Sequence, residues 1–415
     1  MERVRSMELA GKVGERVRVA GWLHAVRRLG GMTFVVVRDG WGVVQAVTPA
    51  GTFAGVLAES IVELEGTVVG EPQLELHGVT ARVLEPAVVQ PPLPLGKKRL
   101  ERPLPALLEH AVIANRHPTR RAVFRLAAAA MRGFRRALDA RGFTEIASPK
   151  LVGSATEGGA NVFAVRYFDR TAYLAQSPQL YKQVMVGVFE RVYEVGPVFR
   201  AEPHDTARHI NQYTSLDVEL GFIESHTDVM RVLVAVLREM LGELAACSEL
   251  AVLGARLPVL PEAVPELHFT EARAMLGGSE PDLSPEDERA LGAWAAERGS
   301  DFVFVIGYPM AKRPFYTHPD PERPAHSRSF DLLFRGTELV TGGQRLHRAA
   351  DYEAAIAARG MTREPFAQYL SAFASGMPPH GGFAIGLERL LMQLLGLPNI
   401  RLATLFPRDL TRLSP

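Results

Sequence analysis

Cysteine is nearly missing from this 415-residue chain, where Cys247 stands alone. One thiol excludes a disulfide framework and any zinc site built on cysteines, and it fits a reducing, cytoplasmic setting. Its apolar helical surroundings read as those of a small core residue. Neither sign of charge is in excess. The 47 basic and 46 acidic residues leave a net charge of +1, so no global field favours nucleic acid and any basic patch has to be local. No apolar run is long enough to cross a bilayer, and no apolar core follows basic residues near Met1, so neither a membrane span nor a secretion signal is expected. Lysine is scarce: Lys12, Lys97, Lys98, Lys150, Lys182 and Lys312 are the whole set. Arginine is the default cation, so each lysine is a position to question.

What remains is ordinary globular composition, 47% hydrophobic and 22% charged, and a length that suggests two to three domains. Residues 1–90 offer five candidate strands with glycine punctuation: Glu15–His24, Met32–Asp39, Gly42–Thr48, Ile61–Val69 and Leu74–Leu84. A short helix is expected over Gly51–Ser60. Five strands with a helix in that place predict an OB-fold barrel, an architecture that often binds single-stranded nucleic acid. Trp22, His24, Arg27, Arg28, Phe34 and Arg38 lie on the first hairpin and are candidates for that contact. Trp22 and Phe34 read equally well as core. Residues 91–115 form a proline-rich hinge with a basic cluster, Lys97-Lys98-Arg99, facing either a nucleic-acid backbone or plain solvent.

From residue 116 to 415 the pattern is α+β. Arg116–Arg141 is an amphipathic helix closed by Gly142, followed by the strand-like Phe143–Ser148 and Pro149. The loop 154–161 holds one acid, Glu157. Gln176–Gln183 (QSPQLYKQ) opens a helix that Ser177 caps, with Gln179 and Lys182 on one face. Val192–Phe199 and Tyr213–Phe222 pair as strands around a polar loop carrying Arg200, Glu202, His204, Arg208 and His209. Guanidinium groups at fixed positions on strands suit a polyphosphate, and Glu202 adds an acceptor for an exocyclic amine. Residues 249–300 read as packing, and Tyr308–Ser329 as either a mobile flap or a static loop. Asp331 and Glu338 are acids on apolar strands. Magnesium shared with substrate phosphates, or neighbouring arginines, would neutralise them. The glycine-rich Pro378–Arg389 has neither dinucleotide nor P-loop spacing, and Arg389 at its end suits a purine face and a phosphate.

Three of these stretches, in this order, carry a resemblance. Arg141–Pro149, Phe199–Tyr213 and Pro378–Arg389 are similar to motifs 1, 2 and 3 of the class II aminoacyl-tRNA synthetases; TSLDVE resembles their aspartyl and asparaginyl branch, and QSPQLYKQ, with a lysine the asparaginyl pattern lacks, resembles the short, archaeal-type aspartyl enzymes. Ala384 stands where the pattern has glycine, Tyr213 where it usually has phenylalanine and Thr341 where it has serine. The resemblance implies an antiparallel catalytic sheet flanked by helices and a homodimer formed through motif 1. It implies an ATP site of Arg200, Ala201, Glu202, Arg208, His209, Ile210, Tyr213, Glu338, Gly386, Leu387, Glu388 and Arg389, with Arg200 and Arg389 catalytic. Magnesium would rest on Glu338 and Thr341, and L-aspartate on Glu157, Gln179, Lys182, Arg200, Thr341 and Arg345. A Lys182–Arg345 pair with no other counter-ion would reject asparagine by ~3–5 kcal/mol. His24, Arg27, Phe34 and Pro72 would meet the tRNA anticodon, and the His24 and Pro72 combination suggests charging of tRNA(Asn) beside tRNA(Asp), feeding an amidotransferase. An asparaginyl enzyme, an adenylate-forming asparagine synthetase and a non-catalytic tRNA-binding protein are the alternatives.

Overall fold

The computed structural model describes residues 1–153, 161–278 and 280–414. The chain divides into two units, residues 1–121 and 122–414. In the first unit, β1 (Arg16–Leu29), β2 (Met32–Arg38), β3 (Val43–Pro49), β4 (Ile61–Val69) and β5 (Glu75–Glu85) close a barrel in the order β1-β2-β3-β5-β4. Alternation builds it. Val17, Val19, Val35, Val37, Val62 and Leu64 point inward and are buried, while the residues between them, such as Arg18 and Glu63, are less buried and face outward. β1 is longer than the sequence suggests. It continues past a bulge at His24, between the pairs Leu23–Val37 and Ala25–Val36, and twists on to Leu29. The helix expected over Gly51–Ser60 does not form. Gly51, Phe53, Gly55 and Glu59 all have positive φ, and the segment is a chain of turns. Two short helices, α1 (Leu104–Glu109) and α2 (Ala111–Ala114), end this unit.

The boundary falls inside α3 (Pro118–Asp139). The second unit is built on an eight-stranded sheet. Its strands are β6 (Thr144–Glu145), β10 (Arg191–Phe199), β11 (Gln212–Gly221), β12 (Glu266–His268), β13 (Phe302–Ile306), β14 (Ser329–Phe334), β15 (Glu338–Gln344) and β16 (His380–Gly386). The order is β12-β13-β14-β15-β16-β11-β10-β6, antiparallel except at the two edge pairs. A small sheet of β7 (Leu151–Val152), β8 (Ala164–Tyr167) and β9 (Arg170–Leu174) stands beside it. Helices α4 (Gln179–Phe189), α5 (His226–Ala245), α6 (Glu249–Leu253), α7 (Phe269–Leu276), α8 (Pro285–Ala296), α9 (Ala349–Ala358), α10 (Ala367–Ala374) and α11 (Leu387–Leu395) complete it. This is the α+β architecture that the sequence implies.

Period-two alternation makes the two faces of the large sheet unlike. Leu216, Val218 and Leu220 of β11, Phe383 and Ile385 of β16, Val340 of β15 and Leu332 of β14 form one core with Leu126 and Phe134 of α3 and Leu233 and Leu237 of α5. Each such side chain contributes about 1.5–3 kcal/mol by leaving water. The residues between them, Tyr213, Ser215, Asp217 and Glu219 on β11, face the other way with Ala384, Gly382 and Thr341 across the ladders. That second face holds the site. The long loop 308–329 is stitched down: Met310 N–H donates to Ala325 O, Ser327 N–H to Tyr308 O and His318 N–H to Gln344 O.

Candidate active site

Start at the strand ends. Arg200 follows β10, its backbone N–H donating to Asn211 O, and its guanidinium lies 5.7 Å from the Tyr213 ring centre. Glu202 sits 3.8 Å from both Arg200 and His209. Across the sheet, the first turn of α11 presents Glu388 and Arg389. Arg389 donates to the backbone carbonyl of Glu338 at 2.8 Å and to its carboxylate at 3.3 Å. Together these groups line a cavity of about 290 Å³ with Arg208, Ile210, Ser215, Thr341, Ala384 and Gly386. Of the residues expected to hold ATP, Ala201 and Leu387 are not on its wall. Leu387 is buried in the core below α11, and Ala201 is engaged through its backbone N–H with Asn161 O.

Glu388 is an acid that burial acts on strongly. Burial pushes its carboxyl up to about 7, against two hydrogen bonds from the Thr214 N–H. Burial likewise raises Asp331, whose Oδ2 meets Arg313 at 2.9 Å and whose Oδ1 has no partner among the described residues. Of the two readings of Asp331, the neighbouring arginine is the one seen, with the buried Tyr308 hydroxyl also against the carboxylate. Asp331 pairs across the ladder with Thr341, whose hydroxyl donates to Glu338 Oε1 at 3.3 Å. Glu338 and Thr341 are hard oxygen donors on the cavity wall, a set that fits magnesium taking its other ligands from phosphate and water. No cluster of three or more His, Cys, Asp or Glu able to hold a metal occurs among the described residues.

Behind Ser215 and Ala384 lies a second, buried group. The Lys182 ammonium donates to Asp217 Oδ1 at 3.1 Å and to the backbone oxygens of Val218 and Phe383, with Glu219 at 3.4 Å. Arg345 Nε donates to Glu219 at 3.0 Å, and its Nη2 to Gly382 O at 3.0 Å. Lys182 is 1% exposed and Glu219 is fully buried. Burial pushes the Glu219 carboxyl up, but Arg345 and Lys182 outweigh it and hold it below the usual carboxylate range. Gly382 makes the space: a Cβ there would come within 2.1 Å of a Glu219 oxygen. So the structure brings Lys182 and Arg345 together, and corrects the picture of an uncompensated pair. Two cations meet two acids, Asp217 and Glu219, to which the sequence alone assigns no role. Their signal was present: acids on alternate positions of an apolar strand, in step with Tyr213. Gln179, also buried, donates to Gln183 rather than lining the cavity. Glu157 lies outside the described residues.

In the barrel unit Arg27 and Phe34 are cross-strand neighbours. Arg27 is exposed, and Phe34 and Trp22 are half-buried on the outer face, so neither aromatic is core. Arg38 is committed elsewhere, in a buried pair with Glu59 at 2.7 Å and beside the Trp22 ring. His24, at the bulge, has a buried Nδ1 with no hydrogen-bond partner among the described residues. Burial, then the charges of Arg38, His117 and Arg121, push its pKa down to about 4. Pro72 is exposed on the turn between β4 and β5.

Comparison with known proteins agrees with this geometry. The family of class II tRNA synthetases (D, K and N) matches residues 105–410. The chain belongs to the class II aminoacyl-tRNA synthetases. An OB-fold nucleic acid binding domain matches residues 17–78 of this synthetase. It is 48% identical to the aspartate–tRNA(Asp/Asn) ligase of Thermus thermophilus, over all of both chains. It is 44% identical to the ligase of the same description from Deinococcus radiodurans, over 100% of this chain and 99% of that one. Among solved structures, the asparaginyl-tRNA synthetase of Pyrococcus horikoshii complexed with asparaginyl-adenylate superposes with a TM-score of 0.91 at 30% identity, over all of both chains. The synthetase thus takes an amino acid, ATP and tRNA, with a divalent metal, and no helix among its described residues is long and apolar enough to cross a membrane.

Proposed function

We propose that the synthetase activates L-aspartate with ATP and transfers it to both tRNA(Asp) and tRNA(Asn) in the cytoplasm, working as a homodimer and supplying misacylated Asp-tRNA(Asn) to an amidotransferase. The observation that carries the amino-acid choice is the convergence of Lys182 and Arg345 on one buried carboxylate beside the nucleotide cavity. Neither side chain has an acceptor, so an aspartate carboxylate arriving there satisfies donors, whereas the NH₂ of asparagine, turned toward Lys182 and Arg345, would meet groups that only donate. Because Asp217 and Glu219 already neutralise the cations, the discrimination rests on that unmet hydrogen bond, about 1–3 kcal/mol, rather than on stripped ions.

The aspartate α-carboxylate attacks the α-phosphorus of ATP in line, expelling pyrophosphate and leaving aspartyl-adenylate. Catalysis is positioning and charge stabilisation. Arg200 binds the α-phosphate, Arg208, His209 and Arg389 hold the outer phosphates, and Tyr213 with Arg389 encloses adenine while Glu202 accepts from its amine. Magnesium held by Glu338 and Thr341 would supply positive charge to the phosphates. The terminal ribose hydroxyl of tRNA then attacks the adenylate carbonyl and releases AMP. Residues 1–90 would read the anticodon through His24, Arg27, Phe34 and Pro72, residues 91–115 serve as hinge, and 116–415 perform the chemistry. Charging of purified tRNA(Asp) and tRNA(Asn) tests this reading. Aspartate should appear on both; product on tRNA(Asp) alone makes the enzyme strict.

A further inference from the structure

Helix α8 lies in the stretch that reads, from sequence, as packing. It brings one acid into the nucleotide site. Glu288 Oε2 lies 3.4 Å from Arg208 Nη1 and accepts the backbone N–H of Glu338 at 3.3 Å. Glu288, Arg208, His209, Glu338 and Arg389 line one continuous recess at the phosphate end. Among the described residues, Glu288 is the one carboxylate that forms an ion pair with Arg208. Its placement is built in. Ser284 caps α8, Asp287 completes the capping box, and Arg273 holds Asp287 at 2.8 Å. The helix then meets the β14–β15 turn backbone to backbone. A Cβ on Gly292 would sit 2.5 Å from Gly336 N, and one on Gly336 2.9 Å from Arg289 Cα. Only glycine at both places allows this approach.

We infer that Glu288 is a positioning residue, holding the Arg208 guanidinium at the phosphate end so that it meets ATP already ordered. The inference rests on the proposed reading of the cavity as the ATP site. A long arginine on a polar loop otherwise has to give up its rotamer freedom when the nucleotide binds, and a carboxylate anchored to a helix and to the Glu338 backbone removes that cost in advance.

The test is Glu288→Gln, which keeps an acceptor for the Glu338 N–H and removes the charge. ATP–pyrophosphate exchange should show the KM for ATP raised about three- to tenfold, the cost of ordering one such side chain, with the KM for L-aspartate unmoved. Glu288→Asp, charged but too short to reach, should shift the KM for ATP in the same direction, and it decides the matter should the glutamine variant not fold. In an Arg208→Ala background the Glu288→Gln effect should vanish, because it acts through that guanidinium. An unmoved KM for ATP, an equal rise in both KM values, or effects that multiply in the double variant would overturn the inference. Calorimetric titration with MgATP separates it from the functional reading: loss of exchange with aspartate in the parent protein sinks the latter, while the titration still judges Glu288.

Discussion

At the scale of single residues, the chemistry concentrates where burial and charge oppose each other. Lys182 is held by Asp217 and Glu219 with almost no exposure. Removing one member of a buried ionic group leaves the others unpaired, at about 3–5 kcal/mol. Lys182→Met should therefore lose about that much stability in thermal or denaturant unfolding, and lose aspartate-dependent exchange, while still binding MgATP. A variant with parental stability would show that the ammonium is not needed to balance the acids. Glu388 makes a prediction with a definite sign. Its carboxyl titrates near 7 in the folded protein, above its usual value of 4.5. Below pH 4.5 both folded and unfolded forms are protonated and nothing is lost. As pH rises through the interval to about 7, the unfolded chain releases this proton first, and folding becomes less favourable by up to roughly 3 kcal/mol. Glu388→Gln lacks that loss, so its melting temperature relative to the parent should climb between pH 4.5 and 7 and then level off. A gap that shrinks over the same interval would reverse the assignment. At this scale the sequence was legible where a residue type was rare, as with Lys182 buried beside Arg345, and only half legible at Asp217 and Glu219, whose alternate spacing on an apolar strand shows but whose cationic partners come from other elements.

At the scale of elements, alternation does most of the work, and it is local. The strand pair that frames Arg200 and Tyr213 could be read directly, because each strand carries its own period-two pattern. The segment 51–60 could not, since four positive-φ residues override a helix-like composition there. Nor could the role of α8, because contact between Gly292 and Gly336 joins residues 44 positions apart in the numbering and no local pattern announces it. The β1–β2 hairpin carries the next prediction. Phe34 stands on the outer face opposite Arg27, where an unstacked base can lie against the ring. Stacking is worth about 1–3 kcal/mol per base, so Phe34→Ala should raise the KM for tRNA roughly tenfold in aminoacylation and leave tRNA-independent ATP–pyrophosphate exchange as it was. A change in exchange with none in the KM for tRNA would remove Phe34 from the anticodon surface.

At the scale of the whole molecule, the two units divide the proposed labour: nucleic-acid reading on a barrel, adenylate chemistry on the polar face of an antiparallel sheet. The architecture was legible because two independent patterns, strands of a barrel and three ordered motifs, pointed to one family. The balance of charge in the amino-acid site was not, since it depends on which side chains from α4, β11 and β15 meet across the sheet. That balance is the central claim: two donor-only cations, fixed by two acids, choose a carboxylate over an amide. ATP–pyrophosphate exchange with L-aspartate and with L-asparagine, on the same enzyme preparation, tests it most directly. The account predicts robust exchange with aspartate and at least a roughly tenfold lower kcat/KM with asparagine, the equivalent of one unmet buried hydrogen bond; equal exchange with both amino acids would contradict it.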